Sequence, residues 1–277
     1  MTTTQKIIKY LALAFAIFLI INIFSFIIYG IYGIGSLFGL TGSNDSNLVE
    51  IETIKDFDFE NKIDLEIDLS YTDLVIKKGE HLKVESNSKY ITSKQDNNSI
   101  VIKEKNRSWF NFGKRSKLII YIPEGVSFSN VDIDTGAGTV YIDTIITKEL
   151  ELDMGAGKVE IDYLEASNSA SIDGGAGSVT IKNGKINNLD LDVGVGKFII
   201  SSKITGKSKI DAGVGSLDVN LFGNIDDYKI RVEKGIGDIR IDKDKADNNT
   251  IYGNGENYID IEGGVGSISI SFENYKF

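Results

Sequence analysis

The 277-residue chain has no cysteine, one histidine, one proline and two methionines. Without cysteine there are no disulfides, cysteine-based zinc sites, iron–sulfur clusters, thiol nucleophiles or lipoprotein anchors. A lone His81 excludes any site built on two imidazoles; it sits in the polar turn Lys77-Lys78-Gly79-Glu80-His81 and is assigned no role. Positive charge is also scarce: 30 Lys and Arg stand against 40 Asp and Glu, a formal net charge of −10. Nucleic acid needs a basic face, so it is not an expected partner. Glycine, by contrast, is plentiful at 29 residues, and 42% hydrophobic residues suffice for a core.

No charge occurs between Lys9 and Asp45. Within that gap, Ile7 to Tyr29 is nearly continuous Ile, Leu, Phe and Ala. As a helix it would extend roughly 34 Å, enough to cross a hydrocarbon core of about 30 Å. Tyr10, Tyr29 and Tyr32 fall near its ends, where amphipathic rings favour the interface, and Lys6 and Lys9 precede it. The expectation is a single-pass anchor, N-terminus cytoplasmic, with everything beyond about residue 40 extracytoplasmic. A cleaved signal peptide is the alternative, but the apolar run is longer than such a region, and Ala12, Ala14 and Ala16 come too early to end it. Residues 1–40 are read as anchor and Gly-rich exit, and 41–49 as linker.

From Val131 onward one phrase recurs seven times: IDTGAGTVYI, LDMGAGKVEI, IDGGAGSVTI, LDVGVGKFII, IDAGVGSLDV, VEKGIGDIRI and IEGGVGSISI. Its glycine pairs are Gly136/Gly138, Gly155/Gly157, Gly175/Gly177, Gly194/Gly196, Gly213/Gly215, Gly235/Gly237 and Gly264/Gly266, with leading glycines 19, 20, 19, 19, 22 and 29 residues apart. Counting from the leading glycine, positions −3, +4 and +6 are apolar in every phrase, while +5 is mixed and mostly polar. Period-2 alternation means short strands with one buried face, joined at G-x-G by a corner that glycine suits. One phrase cannot bury its own apolar face, and stacking at about 4.8 Å does so. The expectation is an all-β, β-solenoid (β-helix-like) domain after one transmembrane α-helix, with a β-sandwich as runner-up. The 29-residue interval predicts a looped-out insertion around Asp242–Tyr258, with Phe272, Tyr275 and Phe277 covering the last rung. Residues 50–130 alternate less regularly and read as opening rungs or a cap; residues 131–277 hold the repeats.

The most ordered polar feature is position −2: Asp134, Asp153, Asp173, Asp192, Asp211, Glu233 and Glu262. Stacked, these carboxylates would repel by roughly 0.8 kcal/mol per neighbour even at the dielectric of water. One reading has each accept hydrogen bonds from the following corner, as in an Asx turn. Another is a calcium ladder, although in Gly-Asp calcium repeats the Asp follows the glycines and here it precedes them. Pairs two apart, such as Asp132/Asp134 and Asp190/Asp192, match glycosidase carboxylate spacing, so a polysaccharide-active β-helix enzyme is a distant alternative. Repetition argues against it, because a catalytic site is one unusual place and a wet strand face does not raise an acid's pKa.

Lys103–Lys117 is the one basic island, with Arg107, Lys114 and Arg115 around Trp109, Phe110 and Phe112. It reads either as a hairpin loop capping the stack or as a contact for an anionic lipid or envelope polymer.

The IDTGAGTVYI-type phrases resemble the bacterial candidate-adhesin family of β-strand repeats, the toastrack domain, whose function is unknown. The stretch NSIVIKEKNRSWFNFGKRSKLIIYIPEGV is similar to the segment preceding those repeats in that family. The resemblance spans about Val49 to Phe272 and implies a single-pass surface protein with a β-solenoid-like ectodomain, associated with envelope stress and antibiotic response. It brings no catalytic residue and no cofactor. The expected function is a non-enzymatic, membrane-anchored module for cell-envelope interaction, scaffolding or stress sensing. An envelope polymer or another envelope protein is the expected partner, and a calcium-binding adhesive solenoid the alternative.

Overall fold

The computed structural model describes residues 48–54, 63–96, 98–105 and 115–273. The expected anchor, its exit and most of the linker lie outside them, as do Arg107, Trp109, Phe110, Phe112, Lys114, Tyr275 and Phe277. Among the described residues no helix is long and apolar enough to cross a membrane. Those residues are almost wholly strand, with one short 3-10 turn at Ile225–Asp227.

The chain opens with β1 (Val49–Ile54), β2 (Asp64–Leu69), β3 (Thr72–Gly79), β4 (Leu82–Ser86), β5 (Ile91–Asp96), β6 (Ser99–Glu104) and β7 (Ser116–Pro123). Three phrases run together in β8 (Phe128–Ile181), followed by β9 (Gly184–Asn187), β10 (Leu189–Thr205) and β11 (Lys207–Phe222). Then come β12 (Tyr228–Glu233), β13 (Ile236–Ile241), β14 (Asp244–Lys245), β15 (Thr250–Tyr252), β16 (Asn257–Glu262) and β17 (Val265–Glu273).

Parallel pairing stacks these strands into rungs, each a first face, a corner and a second face. Along the stack, rung 1 is β6–β7 and rung 2 is β2–β3; rungs 3 to 5 are the phrases within β8, and β10 and β11 form rungs 6 and 7. Rung 8 is β16–β17 and rung 9 is β12–β13. Spatial order therefore departs from chain order at both ends. The seventh phrase lies between the fifth and the sixth, and residues 64–79 lie between 99–123 and 131–142. A shorter third side stacks Ala166, Ile186 and Ile204 through β9.

The apolar positions of the phrases become continuous buried columns. Position −3 runs from Ile102 and Ile67 through Ile133, Leu152, Ile172, Leu191 and Ile210 to Ile261 and Val232. Positions +4 and +6 do the same on the second face, beginning at Leu118 and Ile120. Phe198 is the one ring in the +4 column, and its ring occupies the space a Cβ at Gly174 would need. Burial of such columns is the main stabilising term, at about 25 cal/mol per Å².

The corners explain the glycine spacing, but the expectation of short strands separated by turns at G-x-G is corrected in the middle of the stack. There the strand continues through the corner. Gly194 and Gly196 lie inside β10, and Gly196 stays in the parallel ladder, opposite Gly177 on one side and Gly215 on the other. Each corner rests directly on another corner, so the ladder has no reason to break. A Cβ on Gly196 would fall on the carbonyl oxygen of Gly177 in the rung before, and the same holds for Gly177 against Gly157 and Gly157 against Gly138. Gly177 and Gly196 also share φ +149°, a conformation that side chains rarely adopt.

Rung 2 turns without glycine, through Ser70-Tyr71-Thr72. In rung 1 residues 105–115 join the two strands, and the Glu104 carboxylate takes the place that a corner carbonyl holds elsewhere in the stack. Its Oε2 accepts the N–H groups of Ser70 at 3.0 Å and Tyr71 at 2.8 Å.

The expected loop-out at Asp242–Tyr258 is corrected too. This stretch carries β14 and β15, which pair antiparallel with β13 and β12 along the outer edge of rung 9. Phe272 does not cover the last rung either, because it belongs to rung 8, where its ring lies 6.0 Å from that of Tyr228. At the other end β5 pairs antiparallel with β6, and β4 with β7 and β1. Backbone groups of both outer rungs thus find partners that sequence periodicity does not reveal.

Candidate functional site

The first face carries the carboxylates in two columns, fixed by the alternation that buries position −3. The inner column, at −2, runs Asp68, Asp134, Asp153, Asp173, Asp192, Asp211, Glu262 and Glu233. The outer column, at −4, includes Glu66, Asp132, Glu151 and Asp190 before turning mixed at Lys209, Asp260 and Arg231. Asp68 and Glu66 stand outside the glycine phrases because their own phrase, IDLSYTDLVI, has no glycine. Its alignment with IDTGAGTVYI is the signal that places them.

The expected capping of the corners by these carboxylates does not occur. Among the described residues no position −2 carboxylate accepts a backbone N–H of its corner. The inter-rung ladder already uses those donors: the Ala137 N–H donates to Ser70 O at 2.9 Å, and that of Ile236 to Gly264 O at 2.7 Å. The carboxylates therefore face solvent beside their own kind. Burial, then the charges of Asp153 and Asp190, hold the Asp173 carboxyl above its usual value. Burial and Glu66, Asp153 and Asp134 do the same for Asp132.

Counter-charge is confined to the ends of this face. Lys103 lies 2.6 Å from Glu66 at one end. At the other, Lys209 lies 2.6 Å from Asp211, and Arg231 reaches Asp260 and Glu233, each at 2.8 Å. Between them no Lys or Arg among the described residues comes within ion-pair distance of Asp134, Asp153, Asp173 or Asp192. The second face is different. Lys182 bridges Glu160 at 2.6 Å and Asp162 at 2.7 Å, and Lys158 meets Glu160 at 2.6 Å. The Tyr141 hydroxyl donates to Asp162 at 2.6 Å, which with burial pushes its pKa up to about 12.

A cleft of about 210 Å³ interrupts the acidic face. It exists because Ser169 and Ser171 are short, while Glu149 and Glu151 on one side and Asn188 and Asp190 on the other are long. Each rung adds one carboxylate to a column, and no three carboxylates converge to hold a metal ion among the described residues. Beside the face, the middle residue of each corner forms an apolar ridge: Ala137, Ala156, Ala176, Val195, Val214, Val265 and Ile236 in stack order. Exposure rises along it, to 75% at Ile236. Of the expected basic contact, Arg115 is described: its guanidinium lies 5.5 Å from the Tyr71 ring centroid and 3.5 Å from Asp73. Asp73 is buried and accepts the Thr139 N–H at 2.8 Å. His81 lies at an exposed turn after β3.

Comparison with known proteins finds a match over residues 62–271 to the family described as Toastrack DUF4097. Solved structures similar to the chain include a candidate cell adhesion protein from Clostridium sporogenes. It is 18% identical, with 76% of this chain and 93% of that one covered, at a TM-score of 0.30. A candidate adhesin from Bacteroides fragilis is 15% identical, covering 82% and 98%, at 0.36. One from Parabacteroides distasonis is 14% identical, covering 83% and 98%, at 0.35. No curated protein matches the chain.

Proposed function

The chain belongs to the Toastrack DUF4097 family, and from that premise we propose that it is a non-enzymatic interaction module of the bacterial cell envelope. Residues 1–40 anchor it in the membrane, the β domain stands on the extracytoplasmic side, and the stack serves as an adhesive scaffold or stress sensor. The observation that carries this reading is the unpaired acidic face. From Asp134 to Asp192 the carboxylates are held side by side at rung spacing with no described cation within ion-pair distance, whereas those of the second face are paired with Lys158 and Lys182. A stability-driven sequence would intersperse lysines on both faces. A one-sided field on a rigid stack steers association, and it selects partner surfaces with basic groups. The opposite charge gathers near rung 1, at Lys103, Arg115 and Lys117, and suits an anionic envelope component.

The test is photo-crosslinking in intact cells. A crosslinking residue at Glu151 should capture a distinct envelope partner that one at Ser178, on the second face, does not. Equal capture from both positions sinks the acidic face as the binding surface. Anchoring is tested separately: replacing residues 1–40 with a cleavable export signal should release the β domain into the medium. Retention in the membrane fraction would contradict the anchor.

A further inference from the structure

The sixth and seventh phrases are stacked in reverse order. Val265 pairs with Val214 on one side and with Ile236 on the other, and Gly266 likewise lies between Gly215 and Gly237. Rung 8 thus sits in a slot between two rungs that are only 22 residues apart in the chain, close to the 19 and 20 that separate directly stacked rungs. Those two rungs present matching columns to rung 8 from either side, Leu217 and Ile239 against Ile268, and Val219 and Ile241 against Ile270. Their apolar columns would therefore fit one another in the same register, although Lys209 would then meet Arg231, which Asp260 now separates from it. The strands along the outer edge of rung 9, β14 and β15, are bonded to rung 9 and would travel with it.

We propose that residues 257–273 are a releasable rung. When they leave, rung 9 moves inward by one spacing and pairs directly with rung 7, so the stack shortens by one layer and exposes no new edge. The freed strand is then available to another sheet. Direct stacking recovers one of the two inter-rung interfaces that withdrawal breaks, so the net loss is one interface, the same as for fraying rung 9, while the antiparallel pairs of β14 and β15 with rung 9 are kept. The ladder register and the matching apolar columns set the two alternatives, and the inserted order is the more fully paired, with Asp260 held between Lys209 and Arg231.

Hydrogen exchange on the full chain tests this directly. Amides of 259–270 should exchange at least about tenfold faster than those of 210–219 and of 230–241, although rung 8 lies between the two. Fraying from the end predicts the reverse, with 230–241 fastest. The missing cysteines give a second readout. Val214 and Ile236 are two spacings apart, about 9.6 Å, beyond the roughly 7 Å limit for a disulfide. The double variant Val214→Cys/Ile236→Cys should nevertheless oxidise within one chain as the rung leaves. Val214→Cys/Val265→Cys should oxidise readily and slow exchange in 259–270. Exchange in 230–241 as fast as in 259–270, or no 214–236 disulfide where 214–265 forms, overturns the proposal.

Discussion

The Glu104 carboxylate accepts the Tyr71 N–H at 2.8 Å, doing for rung 2 what the Ser70 carbonyl does for Ala137 at 2.9 Å in rung 3. A side-chain oxygen here takes the place of a corner carbonyl. Glu104→Ala leaves two part-buried N–H groups without their acceptor and should destabilise the domain by about 3 kcal/mol. Glu104→Gln keeps an acceptor oxygen and should recover more than half of that. Urea unfolding of the three proteins measures it.

Gly177→Ala should be among the worst single substitutions in the chain, because its Cβ would overlap a backbone oxygen that both rungs hold in place. A cost of at least about 4 kcal/mol is expected. Gly125→Ala meets no neighbour and strains only a positive φ of 83°, for about 1 kcal/mol. Gly266→Ala should fall between them, since rung 8 can leave the stack. Thermal melts of the three variants rank these costs.

Asp173→Asn removes one charge from the unpaired column and should stabilise the domain at pH 7 by up to about 1 kcal/mol, less in high salt. The sign follows from the raised carboxyl: the folded state holds this proton more tightly than the usual value of 3.8 implies. Ionisation therefore weakens folding as pH rises through the folded value, and the penalty is gone below about 3.8. The gap between variant and parent should close on acidification. Melts from pH 3 to 7 that show a constant gap would refute this.

Calcium should raise the melting temperature no more than magnesium at equal concentration, since the described columns offer single-file carboxylates and no cage. A steep calcium-specific rise, reversed by chelator, would restore the calcium-bound adhesive reading.

Much of this architecture is legible in the sequence. The phrases fix the corners, and their alternation fixes which residues are buried, because a period of two leaves no freedom once one face is apolar. Stack order is not legible. Gly266 offers the same columns to Gly215 and Gly237, so nothing local tells which neighbour the seventh phrase takes. Whether a corner interrupts its strand is hidden as well: Gly196 stays in the ladder because Gly177 and Gly215 flank it, not because of its own phrase. The glycine-free rung at Ser70-Tyr71-Thr72 hid for a related reason: glycine is needed where another corner's carbonyl oxygen lies under the turn, and what meets the N–H groups of Ser70 and Tyr71 is the Glu104 side chain. The corner-capping role expected of Asp134 and its kin failed because the ladder continues through the turn and uses the N–H groups first.

Stacked parallel strands in register, like residue on like residue, also build amyloid, which grows without limit because every end copies the last layer. Here each end layer is paired to strands running the opposite way, β4 and β5 at one end, β14 and β15 at the other. An antiparallel strand offers an incoming copy the wrong direction and the wrong columns. These few short strands thus set the molecule's length, and losing them would turn a measured stack into the seed of a fibre.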